Sequence, residues 1–243
     1  MNLHQTFKSV TLIDRPVNLD DQLSTDKALA SSLDPKTLLV RFWSAQGIIL
    51  GKLDTLLPDF QKGLSALEKA DQKILVRKAG GLAVACDEGI LNLSILFSKD
   101  TPLIGGLNES YAFGVELMKH LLQDLHLSIQ EGEIKDSYCP GKYDLSVSGK
   151  KIAGMAQYRT KDTVMLMVTL SVQGDQEKRC RLIKGFYDKA NPLDDPKYPQ
   201  IDPKSMETLS VLTHKSITVD SLKANMIEIL SKSGINVNLE KQM

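Results

Sequence analysis

Residues 137–157 read SYCPGKYDLSVSGKKIAGMAQ, and this stretch carries the strongest structural signal in the chain. It begins with Cys139 in front of a Pro-Gly pair, a combination typical of a loop. Two runs of alternating character follow it, and they predict strands over 143–147 and 151–159. The stretch therefore predicts a loop cysteine followed by a strand pair, with Lys151 at the start of the second strand.

The same stretch places a thiol and an ammonium close together. A cationic neighbour lowers the pKa of a thiol, and the thiolate attacks acyl groups. Cys139 and Lys151 therefore indicate acyl transfer through a thioester, although an inert thiol and a surface lysine are the ordinary interpretations of such residues. Cys86 follows an alternating apolar run and Cys180 lies in a predicted helix, so both are interpreted as packing residues.

The remaining pattern mixes strands and helices without a regular βαβ alternation, which predicts an α+β fold. Further strands are expected over 38–43, 47–51, 74–76, 82–86, 91–97 and 164–172. Helices are expected over 20–31, 59–69, 108–125, 175–189 and 218–232. Lys161 and Asp162 are expected to form the turn of a hairpin between the strands over 151–159 and 164–172. The prolines between residues 192 and 203 predict a loop. We expect one domain over residues 1–243.

The composition excludes several classes of function. Thirty basic residues balance thirty acidic ones, so neither nucleic acid nor an anionic membrane surface is an expected partner. No apolar run approaches the roughly 20 residues that cross a bilayer. Three widely spaced cysteines suggest neither a disulfide framework nor a metal site, and they favour a reducing cytoplasm.

Three segments together resemble the superfamily of lipoate–protein ligases, octanoyltransferases and biotin–protein ligases. Residues 77–92, RKAGGLAVACDEGILN, resemble the glycine loop Arg-Arg-x-x-Gly-Gly-x-Ala-Val and the turn that follows it. Residues 151–157, KIAGMAQ, are similar to the family's lysine motif. Residues 137–145, SYCPGKYDL, resemble the cysteine segment of the octanoyltransferase branch that moves octanoyl groups between lipoyl domains. The resemblance extends from about residue 35 to about residue 190.

The resemblance implies a fold and a site. The fold would be the family's α+β catalytic domain, a mixed sheet with flanking helices. Cys139 would be the nucleophile, and Lys151 would activate it and shuttle protons. Gly80 and Gly81 would wrap the acyl carbonyl with Arg77 at the rim, although such a pair can also be a simple turn. Gly154 would let the acyl group lie against the backbone, or would only relieve the strand. Neither a metal nor another cofactor is expected.

The cysteine segment implies a particular acyl donor. Octanoyl (or lipoyl) would pass from the glycine cleavage H protein to a lysine on E2 lipoyl domains of 2-oxoacid dehydrogenases. Leu82 stands where ligases usually carry a third glycine, which disfavours close backbone approach to a nucleotide. Three alternatives stay open: octanoyl transfer from acyl carrier protein, ATP-dependent lipoate ligation, and a non-catalytic module that binds acyl groups or lipoyl domains.

Overall fold

The computed structural model describes residues 3–14, 18–77 and 81–241. Within this part of the chain, eleven strands and six α-helices follow one another in mixed order. The strands are β1 Ser9–Asp14, β2 Thr37–Trp43, β3 Gly47–Leu50, β4 Ile74–Val76, β5 Val84–Cys86, β6 Ile90–Ser98, β7 Gln130–Glu131, β8 Leu145–Val147, β9 Lys150–Arg159, β10 Thr163–Ser171 and β11 Asn236–Lys241. The helices are α1 Gln22–Ser31, α2 Phe60–Lys69, α3 Leu107–Leu121, α4 Gln176–Ala190, α5 Leu209–Thr213 and α6 Val219–Lys232.

Eight strands form one mixed sheet in the order β11-β1-β2-β6-β10-β9-β8-β7. Strand β1 runs parallel to both of its neighbours, and the pairs from β2 through β6 and β10 to β9 are antiparallel. The hairpin of β9 and β10 turns at residues 160–162, as the sequence predicts. This hairpin supplies the sheet surface on which the site is built.

A second sheet holds β3 between β4, which is parallel to it, and β5, which is antiparallel. Its apolar residues pack with α2 and α4 in one buried cluster that includes Leu67, Ile183 and Phe186. The chain leaves this small sheet after β4, passes residues 77–83 and returns in β5. The glycine loop is therefore a connection between two strands that flank β3.

The large sheet is buried on both faces, as the alternation along β10 shows. Leu166 and Val168 belong to a cluster that also contains residues of α3 and α6. Met165 and Met167 point to the other face, in a cluster that includes Ala30 of α1. Burial on both faces explains why β6 reads as a continuous apolar run with only small polar residues.

The α+β prediction is confirmed, and most predicted elements are present. Strands β1, β7 and β11 and helix α5 were not predicted from the sequence. The helix expected over 108–125 ends at Leu121, and a 3₁₀ turn covers Gln123–Leu125 before His126 adopts a left-handed conformation. Across residues 3–14, 18–77 and 81–241, no helix combines the length and hydropathy that crossing a bilayer requires.

Candidate active site

Cys139 lies in a tight loop between β7 and β8, and its backbone is held in an unusual conformation. Its φ is 47°, in the left-handed region that residues other than glycine rarely adopt. The Lys151 ammonium donates hydrogen bonds to the carbonyl oxygens of Tyr138 at 3.0 Å and of Cys139 at 2.7 Å. These two bonds hold the cysteine loop against the start of β9.

The third partner of the Lys151 ammonium is a buried carboxylate. Nζ lies 2.9 Å from Asp144 Oδ2, and both side chains are almost completely shielded from solvent. Burial raises the pKa of Asp144, while the charge of Lys151 opposes that rise. An ammonium has three N–H donors, and Asp144 with the two carbonyls accounts for all three. Lys151 is thus a fixed, paired cation at the base of the cysteine loop.

The glycine loop meets the cysteine sulfur from the opposite side. The Leu82 N–H donates to Cys139 Sγ at 3.1 Å. Gly81 precedes it with a φ of 92°, and a Cβ at this position would overlap Arg77 Nη2 and lie 3.3 Å from Sγ. Glycine is therefore required here both by the backbone conformation and by the two groups that press on it.

Arg77 lies behind this loop and is buried. Its Nη2 donates to the Leu82 carbonyl at 3.2 Å. Its Nε is buried and has no hydrogen-bond partner within the described chain. A buried unpaired donor is unfavourable unless a ligand completes it, and Arg77 lines the cavity described below.

Gly154 lies on β9 beside the lysine. A Cβ at this position would lie 3.2 Å from Lys151 Cε and 3.3 Å from Nζ. The missing side chain therefore makes room for the Lys151 side chain, which fits the strand-relief interpretation of this glycine. Gly154 also lines the cavity, so the interpretation as acyl-binding backbone stays a prediction.

A cavity of about 230 Å³ opens beside these groups. It brings together five of the six predicted site residues, which are Arg77, Gly81, Cys139, Lys151 and Gly154. Gly80 lies outside the described residues. The apolar part of the wall includes Val84, Tyr111, Met155, Met167 and Met206. Methionine side chains adapt to flexible apolar ligands, so the wall suits an unbranched acyl chain.

The other two cysteines lie apart from this chemistry. Cys86 and Cys180 are buried among apolar residues. Burial raises the pKa of the Cys86 thiol to about 11 and that of Cys180 to about 12. Both therefore stay protonated thiols near neutral pH. Among the described residues, no three His, Cys, Asp or Glu side chains cluster in a way that would hold a metal ion.

Comparison with known proteins identifies the family. The family described as "Lipoyl protein ligase A/B catalytic domain" matches residues 18–231. The chain belongs to this family. The superfamily resemblance carried by the three motifs is thus confirmed.

Members of this family with similar sequences carry names that agree on one kind of reaction. The chain is 35% identical over 240 residues to an octanoyl-[GcvH]:protein N-octanoyltransferase of Oceanobacillus iheyensis, covering 94% of this chain and 85% of that one. It is 34% identical over 229 residues to a lipoyl-[GcvH]:protein N-lipoyltransferase of Listeria monocytogenes, covering 92% and 82%.

Solved structures of ligases share the family fold. Lipoate-protein ligase A bound with ATP superposes with a TM-score of 0.71 at 19% identity, covering 98% of this chain and 90% of that one. A bi-partite lipoate protein ligase from Thermoplasma acidophilum, described with its E2 lipoyl domain, gives 0.66 at 18% identity, covering 98% and 88%. At these identities the likeness establishes the shared architecture, with helices around a mixed sheet.

Two groups in the candidate active site of this chain, the Asp144 carboxylate and the Leu82 N–H, were not predicted from the sequence. Asp144 was not singled out, because its place opposite Lys151 depends on a register shift between β8 and β9 at Leu145 and Ser146. The N–H of Leu82 was also missed, because Leu82 was treated only as a departure from the ligase pattern. For Asp144, the sequence signal was the Pro-Gly turn just before it, because the N–H of Gly141 in that turn donates to the Asp144 carboxylate at 2.9 Å.

Proposed function

We propose that this chain transfers an octanoyl group, or the related lipoyl group, from octanoylated GcvH to a lysine of E2 lipoyl domains. The acyl group passes through a thioester on Cys139. The observation that carries the mechanism is the position of the Cys139 sulfur, which lies in the cavity wall with the Leu82 N–H at 3.1 Å. No nucleotide takes part in this reaction.

The names of the relatives support the reaction class. Those at 33–39% identity are called octanoyl-[GcvH]:protein N-octanoyltransferases or a lipoyl-[GcvH]:protein N-lipoyltransferase. They agree with the prediction of an N-octanoyltransferase made from the cysteine and lysine segments, and they favour GcvH over acyl carrier protein as the donor. The E2 acceptor is part of the proposal, and the description of a ligase of the same fold with its E2 lipoyl domain supports it.

In the first half-reaction the Cys139 thiolate attacks the amide carbonyl of the octanoylated lysine on the donor. The carbon–nitrogen bond breaks, the lysine amine leaves with a proton, and a thioester forms. In the second half-reaction the acceptor lysine amine attacks the thioester and loses a proton, and the sulfur leaves. Donor and product are both amides, so the equilibrium constant of the overall transfer is close to one. The covalent intermediate divides the transfer into two steps with lower barriers.

Lys151 has two roles in this proposal. Its ammonium holds the Cys139 loop in its left-handed conformation through the two carbonyl bonds. Proton transfer to the leaving amine requires Lys151 to release one of its three partners, and the Cys139 carbonyl at the cavity wall is the most accessible of them.

The residues that line the cavity are proposed to bind the acyl group. Arg77 Nε, which has no hydrogen-bond partner among the described residues, is a donor for the acyl carbonyl. Gly81 lets the carbonyl approach the loop without a side chain in the way. Gly80 is proposed to share this role from its place next to Gly81 in the sequence. The octanoyl tail then lies along Met155 and Met167, with Gly154 beneath it.

The test compares three acyl sources with one apo E2 lipoyl domain as acceptor. These are octanoyl-GcvH, octanoyl carrier protein, and octanoate with ATP and Mg²⁺. We expect octanoyl-GcvH alone to give octanoylated E2 domain, detected by intact mass. Faster transfer from the carrier protein would favour the carrier-protein enzyme, and dependence on ATP would make the chain a ligase. A chain that binds the octanoylated domain without turnover would be a binding module.

Cytoplasmic location is proposed together with these partners. It rests on the unpaired cysteines and on the nature of the reaction. Cell fractionation with an antibody to the chain would test it.

A further inference from the structure

A buried hydrogen-bond chain runs from the core of the small-sheet layer to the glycine loop, and the chemistry described above does not use it. Asp54 accepts from the Tyr187 hydroxyl at 2.7 Å, and the Tyr187 oxygen accepts from the Ala83 N–H at 3.2 Å. Ala83 directly follows the residue whose N–H contacts the Cys139 sulfur. We propose that Tyr187, oriented by Asp54, is a positioning residue that keeps the Leu82 N–H on that sulfur.

The geometry of one peptide group carries the argument. The peptide that joins Leu82 to Ala83 is planar, so its carbonyl and its N–H move together. The carbonyl accepts from Arg77 Nη2 at 3.2 Å, and the N–H donates to Tyr187. The group is therefore held at both ends. The Leu82 N–H belongs to the preceding peptide, which is joined to this one through the Leu82 Cα. Holding the Leu82–Ala83 peptide therefore restricts the φ and ψ of Leu82, and with them the directions in which its N–H can point toward Cys139 Sγ.

Asp54 determines which way the tyrosine hydroxyl points. One carboxylate oxygen accepts from the Gly51 N–H at 2.7 Å and the other from Tyr187. A hydroxyl that gives its proton to a carboxylate turns its lone pairs toward other donors, and here that donor is the Ala83 N–H. Both side chains are buried, so water does not compete for these bonds.

The end of β3 strengthens the link to the loop. A Cβ at Gly51 would overlap the carbonyl oxygen of Gly81, so the two backbones touch directly. Asp54 thus fixes Gly51, which supports the loop from below, and Tyr187, which supports it from the side. This arrangement gives a hydrogen-bond donor to each oxygen of a carboxylate that is buried in an otherwise apolar layer.

The inference concerns the cysteine that the proposed function uses, yet its main readout needs no acyl donor. The readout is the rate of Cys139 alkylation by iodoacetamide as a function of pH, followed by mass mapping. The titratable or charged groups that face this site are Arg77, Tyr111, Asp144, Lys151 and Tyr187. Cys86 and Cys180 are buried with raised pKa values, so they do not contribute near neutral pH.

The test variant is Tyr187→Phe, which keeps the ring and removes the hydroxyl. Loss of an ordered donor to a thiolate should move the alkylation profile to higher pH by about half a unit to one unit. With octanoyl-GcvH, kcat should fall about tenfold while KM stays within about twofold. Asp54→Asn, which leaves the tyrosine in place without a carboxylate partner, should shift the profile in the same direction by less.

The matched control is Tyr198→Phe. Tyr198 packs 6.1 Å from Tyr187, ring centre to ring centre, but its hydroxyl donates to the Leu53 carbonyl and not toward the loop. Its alkylation profile should match that of the unmodified protein. An unmoved profile in whichever of Tyr187→Phe and Asp54→Asn folds overturns the inference, as does an equal shift in the control. A shifted profile in a protein that transfers no octanoyl group would support the inference and contradict only the proposed function.

Discussion

At the scale of single residues, the site is built by holding one unfavourable backbone conformation in place. A left-handed non-glycine residue costs on the order of 1–3 kcal/mol, and Cys139 is one, with a φ of 47°. The two bonds from Lys151 to the carbonyls of Tyr138 and Cys139 offset this cost. The same lysine thus shapes the loop and supplies the charge next to it.

Removing the sulfur tests the thioester directly. Cys139→Ala should reduce octanoyl transfer roughly a thousand-fold or more, the scale on which loss of a nucleophile slows other enzymes. Cys139→Ser should be inactive or should stop at a stable oxyester. Cys86→Ser and Cys180→Ser are the matched controls and should stay active, because both thiols are buried away from the cavity. Near-normal turnover of Cys139→Ala would remove the covalent mechanism.

The structural and the catalytic role of Lys151 can be tested separately with two variants. Lys151→Met leaves the Asp144 carboxylate buried without a cation, and breaking such a pair costs about 3–5 kcal/mol. Adding Asp144→Asn removes the unpaired charge and should recover at least half of that loss in urea unfolding. Neither protein should transfer octanoyl groups. If the double variant is active, the role of Lys151 is structural alone.

Asp54 should make stability depend on pH in an unusual direction. Burial raises its pKa to about 6, with hydrogen bonds from Tyr187 and Gly51 opposing the rise. The unfolded carboxyl ionises near pH 4, so between about pH 4 and 6 the unfolded state loses its proton first. The contribution of Asp54 is therefore complete below about pH 4 and is lost as pH rises through about 6.

Urea unfolding of the unmodified protein and of Asp54→Asn across this range measures the effect. The stability advantage of the unmodified protein over the variant should shrink by on the order of 2–3 kcal/mol from pH 4 to 7. A constant difference would mean that Asp54 ionises normally.

At the scale of elements, helix α4 connects the two halves of the site. Near its start, Gln176 Nε2 donates to the Tyr138 hydroxyl at 3.1 Å, next to the nucleophile. Near its end, Tyr187 reaches the glycine loop. The helix packs along α2 through the buried side chains of Phe186 and Ala190, which lie against Gly63. The position of α4 therefore sets how the two loops meet.

Two helical glycines give opposite predictions for this packing. A Cβ at Gly63 would lie 2.8 Å from both Ala190 Cβ and the Phe186 ring, so Gly63→Ala should destabilise the protein by about 1–3 kcal/mol through overpacking. Gly185 in α4 has nothing within 4 Å of the corresponding position, so Gly185→Ala should stabilise the protein by up to about 1 kcal/mol. Thermal unfolding of both variants checks the pair. Equal effects would contradict the described α2–α4 contact.

The sequence is informative where local pattern and structure agree. Strand β8, the β9–β10 hairpin and the capped start of α6 at Thr218 follow from alternation and capping residues. Strands β1, β7 and β11 were missed. The last two are the edges of the large sheet: β7 spans only two residues, and β11 has mostly polar residues. Edge strands depend on a neighbour's backbone more than on their own side chains.

The site shows the same division between local and long-range information. Cys139 and Lys151 were accessible because they lie within one short stretch of sequence. The hydrogen bonds of Tyr187 with Asp54 and with Ala83 join residues that are far apart in the chain. No periodicity or spacing encodes such contacts, and they become visible only when the small sheet packs on α4.

At the scale of the whole molecule, the fold is shared with ligases that bind ATP, so the architecture alone does not determine the reaction. In this chain the Leu82 N–H contacts the Cys139 sulfur. The prediction of one catalytic domain over residues 1–243 stays a prediction. The central claim is that this arrangement stores the acyl group as a thioester without nucleotide.

That claim is tested most directly by trapping the acyl-enzyme. The protein is mixed with octanoyl-GcvH in the absence of ATP and of any acceptor, quenched in acid, digested and analysed by mass spectrometry. We predict one octanoyl group on the peptide that contains Cys139, released by hydroxylamine, and its transfer to an apo E2 lipoyl domain added before quenching. An E2 domain that becomes octanoylated at full rate while Cys139 never carries the acyl group would contradict the account.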